Sequence, residues 1–148
     1  MPPQLLVDSN FFLELKQFRS EDCKNFFNLV SSGALEVLTT DFQLDTIALV
    51  MEQKKSPPSD IRSFFVSISK FKGLSVYSMS IADKIDATEE MESSTLDFDD
   101  ATSLAVMKKL KITKIVSFDH DFDGVESIQR IEPDQVVFSF AQDENEKS

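Results

Sequence analysis

A three-layer α/β/α domain on a mainly parallel sheet is the fold class this sequence predicts, and three features predict it. Short apolar runs of strand type, such as Leu5-Leu6-Val7 and Lys114-Ile115-Val116-Ser117, are separated by stretches with helical apolar spacing. Those intervening stretches are long enough for the crossovers that parallel strands require. Finally, 148 residues, 41% hydrophobic and 28% charged, provide for one core rather than two.

Taken in order, Leu5 to Val7 reads as a buried strand that ends abruptly at Asp8, and Asn10 to Phe18 has helical spacing through Phe11, Leu13 and Leu15. Ser20, followed by Glu21 and Asp22, opens a second helix carrying Phe26, Phe27, Leu29 and Val30, which Gly33 stops. Asp41 to Lys54 is helical, with Leu44, Ile47, Ala48 and Met51 on one face. Lys54 to Pro58 is a turn, and Asp60 begins a helix through Ile61, Phe64, Phe65, Ile68 and Phe71. Leu74 to Met79 alternates like a strand, and an acidic helix follows from Ile81 to Met91. Asp97 starts a helix that runs to Lys111, Lys114 to Ser117 is a strand, and Gln135 to Phe140 is predicted as the last strand. The expected organisation is a single domain over 1–141 with a polar, acidic tail over 142–148.

Charge and composition exclude several function classes. Fifteen Lys and Arg against 26 Asp and Glu give a net charge of -11, so the chain does not coat a phosphate backbone by bulk attraction. Any nucleic-acid contact is local or metal-mediated. A single cysteine, Cys23, rules out an internal disulfide framework, and a single histidine, His120, rules out a zinc site made of several Cys and His ligands. Nowhere do ~18 apolar residues run together, and the start, Met-Pro-Pro-Gln, has no leader character. The expectation is a cytoplasmic protein that does not enter a membrane.

In a parallel α/β sheet, ligands sit outside the carboxyl ends of the strands. Asp8 closes the first strand, Asp119 lies just past Ser117, and Asp100 shares a helix face with Asp97, Ala101 and Leu104. Each has a plain structural reading. Asp97 is most simply an N-cap with Asp100 at N3, Asp8 a turn or cap residue, and Asp121 and Asp123 loop solvation. The convergence of several carboxylates on one sheet edge favours function, because clustered carboxylates repel unless a cation neutralises them. All-oxygen ligation suits Mg²⁺ or Mn²⁺.

On the motifs Leu5-Leu6-Val7-Asp8-Ser9-Asn10, Asp97-Phe98-Asp99-Asp100-Ala101 and Ile115-Val116-Ser117-Phe118-Asp119-His120-Asp121-Phe122, the chain resembles the PIN-domain family, in particular the VapC-like toxins of prokaryotic toxin-antitoxin pairs. The resemblance spans roughly residues 4 to 140 and implies a PIN-like fold. It further implies that Asp8, Asp100 and Asp119 are metal-binding, catalytic carboxylates, with Asp121 as a further metal ligand and Asn10 and Ser117 in support. Relatives often carry Thr-Thr-Asp-Tyr-x-Leu-Asp-Glu, whose Glu enters the site from the third helix. Here Thr39-Thr40-Asp41-Phe42-Gln43-Leu44-Asp45-Thr46 places Thr46 at that position, and Asp45 serves only if the helix is turned by one residue, about 100°.

The implied activity is a Mg²⁺- or Mn²⁺-dependent endoribonuclease acting on RNA, the toxin of a toxin-antitoxin pair, with a VapB-like antitoxin and a homodimeric assembly as partners. The alternative is a catalytically degenerate PIN-like module that binds a protein or RNA. Lys108, Lys109, Lys111 and Lys114 form the densest basic cluster and read chiefly as a solvated helix end. The 14 phenylalanines exceed what a stacking platform needs, and those at helical spacing read as core.

Overall fold

The computed structural model describes Pro3, residues 5–14 and residues 21–147. Five parallel strands form one sheet: β1 (Leu5–Val7), β2 (Val37–Thr40), β3 (Leu74–Tyr77), β4 (Lys114–Val116) and β5 (Gln129–Ile131), in the order β3-β2-β1-β4-β5. The helices are α1 (Ser9–Glu14), α2 (Glu21–Ser32), α3 (Asp41–Gln53), α4 (Pro58–Ser69), α5 (Ile81–Ser93), α6 (Phe98–Leu110) and α7 (Pro133–Lys147), with a 3₁₀ turn at His120–Gly124. The predicted extension of the first helix to Phe18 and the Ser20 cap fall outside the described residues.

The two-residue period of a strand divides the core into two layers. Leu5, Val7, Val37 and Val116 face one way and pack with Phe11, Phe12, Phe26, Val30, Leu44, Ile47 and Met51 of α1, α2 and α3. Leu6, Leu38 and Ile115 face the other way and pack with Ala87 of α5 and Leu104, Ala105 and Met107 of α6. A strand covered on both faces has no polar side to show, which is why Leu5-Leu6-Val7 reads as an unbroken apolar run. Phenylalanine dominates the first layer: Phe11 lies 5.0 Å from Phe26 and 5.2 Å from Phe27, centroid to centroid. Phe11, Phe12 and Phe26 are core, as their spacing predicts, whereas Phe65 of α4 and Phe138 of α7 are exposed.

The chain begins at the centre of the sheet, winds outward through β2 and β3, and then returns across β1 to add β4 and β5. The direction of winding therefore reverses between β1 and β4, the position where an α/β sheet opens a crevice at its carboxyl edge. Register completes the placement. Val7 pairs with Val116, so the next residue of each strand, Asp8 and Ser117, are neighbours at that edge.

Three regions differ from the sequence prediction: 135–140 and the strands β5 and β2, neither of which was expected. The stretch 135–140 is helix, not strand. Its Val136-Val137-Phe138 run has strand propensity, but Pro133 stands at the first helical position and the Gln135 side chain accepts the Glu132 N–H at 2.8 Å, a helix start. Val136 then buries against the first core layer, and α7 runs on through the acidic segment from 142. The fifth strand is Gln129–Ile131, an edge strand too short and polar to announce itself by pattern, and β2 is likewise short. Gly73 has a packing reason of its own: a Cβ there would lie 2.1 Å from the Leu35 carbonyl oxygen, so only glycine lets the entry to β3 pass so close to the loop before β2.

Candidate active site

Asp8 is 1% exposed, and its backbone N–H donates to the Val116 carbonyl at 3.1 Å, which continues the β1–β4 ladder by one residue. The Ser117 hydroxyl donates to Asp8 Oδ2 at 2.9 Å and accepts the Asp119 N–H at 3.0 Å, so this buried serine ties the ends of the two strands together. Asp119 is half-buried and caps the 3₁₀ turn, accepting the Asp121 N–H at 2.9 Å. Asp97 accepts the Asp100 N–H at 2.9 Å and is the N-cap of α6, as its sequence position suggests. Capping fixes where α6 begins, and Asp100 is consequently buried in its first turn at the sheet edge.

Ligand-type oxygens of Asp8, Asp99 and Asp100 lie within 4.8 Å of one another, and so do those of Asp100, Asp119 and Asp121. Asp100 belongs to both groups. The predicted residues Asp8, Asp100, Asp119 and Asp121 are therefore brought together, and Asp99 joins them. Burial pushes the Asp8 carboxyl up to about 7 despite the Ser117 hydrogen bond, and the charges of Asp99 and Asp119 push it further in the same direction. Asp100 is raised by burial and by repulsion from Asp8, Asp97, Asp119 and Asp99. Asp99 is raised by burial, partly offset by a hydrogen bond from Gln43. Carboxylates in this state want a positive charge, and the donors are all hard oxygens. The set fits a divalent cation of the Mg²⁺ or Mn²⁺ type.

The third helix contributes differently from the prediction. Asp45 is exposed, and the Thr46 hydroxyl donates to the Phe42 carbonyl at 2.9 Å, so neither position 45 nor position 46 belongs to the cluster. The α3 residue that reaches it is Gln43, which is wholly buried and donates to the Asp99 carboxylate. The cause is local. Thr40 caps α3 by accepting the Gln43 N–H at 3.1 Å, which places Gln43 at N3, on the side of the helix facing the sheet edge. Asn10 sits in α1, and its side chain lies outside the described residues.

Residues 5–127 match the family model of the PIN domain. The chain belongs to the PIN-domain family. VapC20 of Mycobacterium tuberculosis, a sarcin-ricin loop cleaving toxin, matches this PIN domain with a TM-score of 0.63 at 22% identity, over 82% of this chain and 95% of its own. A toxin-antitoxin complex from Klebsiella pneumoniae gives 0.63 at 12% identity, over 87% and 97%. A protein from Pyrobaculum aerophilum gives 0.60 at 12% identity, over 95% and 96%. At these identities the likeness is one of fold. No curated protein matches the chain by sequence.

The PIN domain also holds a cation near its acids that the sequence does not reveal. Arg130 of β5 donates to the Ser117 carbonyl at 3.0 Å and to Asp123 at 2.8 Å, bracing the loop that carries Asp119. His120 is exposed and lies 2.9 Å from Asp123. Two of the clustered lysines are tied to α5, Lys108 to Glu90 at 2.9 Å and Lys109 to Asp83 at 3.0 Å, in keeping with a solvated helix end. Among the described residues no helix is long and apolar enough to cross a membrane.

Proposed function

We propose that this PIN domain is a metal-dependent endoribonuclease that hydrolyses RNA phosphodiester bonds in the cytoplasm as the toxin of a toxin-antitoxin pair. The observation that carries the proposal is the convergence of Asp8, Asp100 and Asp119 at the carboxyl edge of the sheet, with Asp121 beside them. These residues would hold Mg²⁺ or Mn²⁺. A divalent ion, when bound, supplies charge to phosphate oxygens and lowers the pKa of a coordinated water.

The chain's own groups do the rest. Ser117 fixes the Asp8 carboxylate, Asp97 fixes the start of the helix that presents Asp100, and Arg130 fixes the turn that presents Asp119. With net charge -11, binding of RNA depends on the cation for local attraction. The comparison with a toxin-antitoxin complex supports an antitoxin partner, and a homodimer is part of the same proposal. Exposed Leu49 of α3 and Phe65 and Val66 of α4 are apolar surface of the kind such a partner covers.

A second reading, a degenerate module that binds a partner without cutting, is favoured by one observation: α3 offers the neutral Gln43 to the cluster. RNA cleavage assayed with Mg²⁺, Mn²⁺ and EDTA, in the wild type and in Asp8→Asn, separates the two. Metal-dependent cutting lost in the variant supports the nuclease. Absence of cutting across varied RNAs by folded wild-type protein supports the binding module.

A further inference from the structure

Gln43 and Asp99 form a pair at the rim of the carboxylate cluster. A buried amide is costly unless both its ends are matched, and here both are. Oε1 accepts the Ser9 N–H at 2.7 Å, while Nε2 donates to the Asp99 carboxylate and, at 3.4 Å, to the Asp99 carbonyl. The Ser9 donor sets the sense of the amide, since a carbonyl oxygen has to face an N–H and the NH₂ group is thereby turned toward Asp99. One oxygen of Asp99 is thus engaged, and its carboxylate lies within ligand distance of Asp8 and Asp100, at most 4.8 Å between donor oxygens. An amide donor orients an acid without cancelling its charge. Three acids held this close lower their repulsion either by keeping a proton or by sharing a cation, and the cation is the one that leaves all three charged.

Resting on the metal-site reading above, we infer that Asp99 is a fifth carboxylate of the divalent-cation site, beside Asp8, Asp100, Asp119 and Asp121, and that Gln43 is the positioning residue that holds it there. The acid comes from the first turn of α6, and α3 supplies its hydrogen-bond donor. A Glu at position 43 would meet Asp99 head-on, so this pair carries one negative charge and not two. The arrangement also predicts that the two roles can be exchanged. In the double variant Gln43→Glu with Asp99→Asn, position 43 supplies the carboxylate, the amide at 99 donates to it, and the Ser9 N–H still finds an acceptor.

The test is calorimetric titration of Mn²⁺ into the full chain, with the metal-induced rise in melting temperature as a second readout and circular dichroism to check the fold. Asp99→Asn is isosteric and is expected to weaken Mn²⁺ binding by at least about tenfold, because affinity follows the number of charged ligands. Gln43→Ala leaves the acid but frees it, and is expected to weaken binding roughly tenfold, the scale of losing an outer partner. The double exchange is expected to return affinity to within about threefold of wild type, a rescue that a merely structural role for Gln43 would not produce. Wild-type affinity in Asp99→Asn, with binding abolished in Asp8→Asn, overturns the role of Asp99 and leaves the site reading intact. Unchanged binding in Asp8→Asn overturns the site reading itself, and this inference with it.

Discussion

Asp8 and Asp83 are equally removed from water, 1% and 2% exposed, and their carboxyls are displaced in opposite directions. Asp83 sits at N3 of α5 in a capping box with Ser80, accepts the Ser80 N–H at 2.9 Å and the Tyr77 hydroxyl at 2.9 Å, and meets the Lys109 ammonium at 3.0 Å. These donors, the Ser80 backbone first, hold it well below the ordinary carboxylate range. Asp8 is held well above that range by burial first and by the charges of Asp99 and Asp119 next, with the Ser117 hydroxyl and the Ser9 N–H only partly offsetting them. The two side chains are alike in exposure but not in depth: Asp8 lies at the heart of the sheet edge, where burial itself raises it and its acidic neighbours add to that, whereas at Asp83 the donors outweigh burial. A buried acid whose charge is matched by fixed donors is part of the scaffold, whereas one surrounded by its own kind waits for a mobile cation.

The largest expected effect comes from removing the unmatched acid. Asp8→Asn should lower metal-dependent RNA cleavage by at least about a hundredfold, the scale of losing a group that organises charge at a reacting phosphate. Gel-resolved cleavage rates measure it, and a variant that cuts at the wild-type rate would break the contrast at its root.

Acidity should separate the two aspartates next. Asp8 keeps its proton to about 7 in the folded chain and releases it near 3.8 when unfolded. Between those values the folded state binds more protons, so the metal-free protein loses stability as pH rises from about 4 to 7, by up to about 4 kcal/mol, and then levels off. Millimolar Mn²⁺ should flatten that slope by binding the charged cluster of the folded state alone. Asp83 acts in the reverse sense: its contribution is present above 3.8 and is lost as pH falls toward its lower folded value. Urea midpoints measured from pH 3 to 8, with EDTA or Mn²⁺, resolve both limbs, and a metal-free midpoint that rises between pH 4 and 7 contradicts the Asp8 assignment.

Asp83→Asn should cost about 2 kcal/mol of stability through lost hydrogen bonds, with Mn²⁺ affinity unchanged. Denaturant titration and calorimetry on one sample check both halves. The smallest effect is expected at Asp45, where Asn should shift neither stability by more than about 0.5 kcal/mol nor metal affinity, since the side chain is exposed and outside the cluster. A loss of Mn²⁺ binding in Asp45→Asn would mean that α3 is turned differently from the register that Gln43 defines.

Sequence pattern reaches furthest where burial is total. Leu5-Leu6-Val7 followed by Asp8, and Ile115-Val116-Ser117 followed by Asp119, are legible because a doubly covered strand has to be apolar and has to stop at a polar residue. The helices from α3 to α6 are legible through spacing, caps and the turn at Lys54 to Pro58. Edge strand β5 and helix α7 are not, since the first has little to bury and the second borrows strand-forming residues for a helix that Pro133 starts. At the site, Gln43 escaped because an amide on a helix looks ordinary. Thr40 with Gln43 three residues later is nevertheless a capping-box signature that marks the helix start, though the Gln43 side chain turns to Ser9 and Asp99 instead of back to Thr40. Asp99 was hidden by its neighbours, an acid among acids whose role depends on a partner 56 residues away. Arg130 was missed because it stands on β5, the short edge strand that the pattern does not disclose, although the loop it braces is near in sequence.

The bond between Ser117 and Asp8 joins residues 109 positions apart, and it sets a timetable for the living cell. At about 5 to 20 residues per second on a ribosome, Asp8 is made roughly 5 to 20 s before the serine that fixes it. Through that interval the central strand of the sheet has its β2 neighbour and lacks β4 on the other side. A nascent or prematurely terminated chain ending before Lys114 therefore carries Asp8, Asp99 and Asp100 but lacks the strand and turn that complete their arrangement. On the ribonuclease reading proposed above, the chain would acquire its activity only after Ser117 and the turn that follows it had been translated.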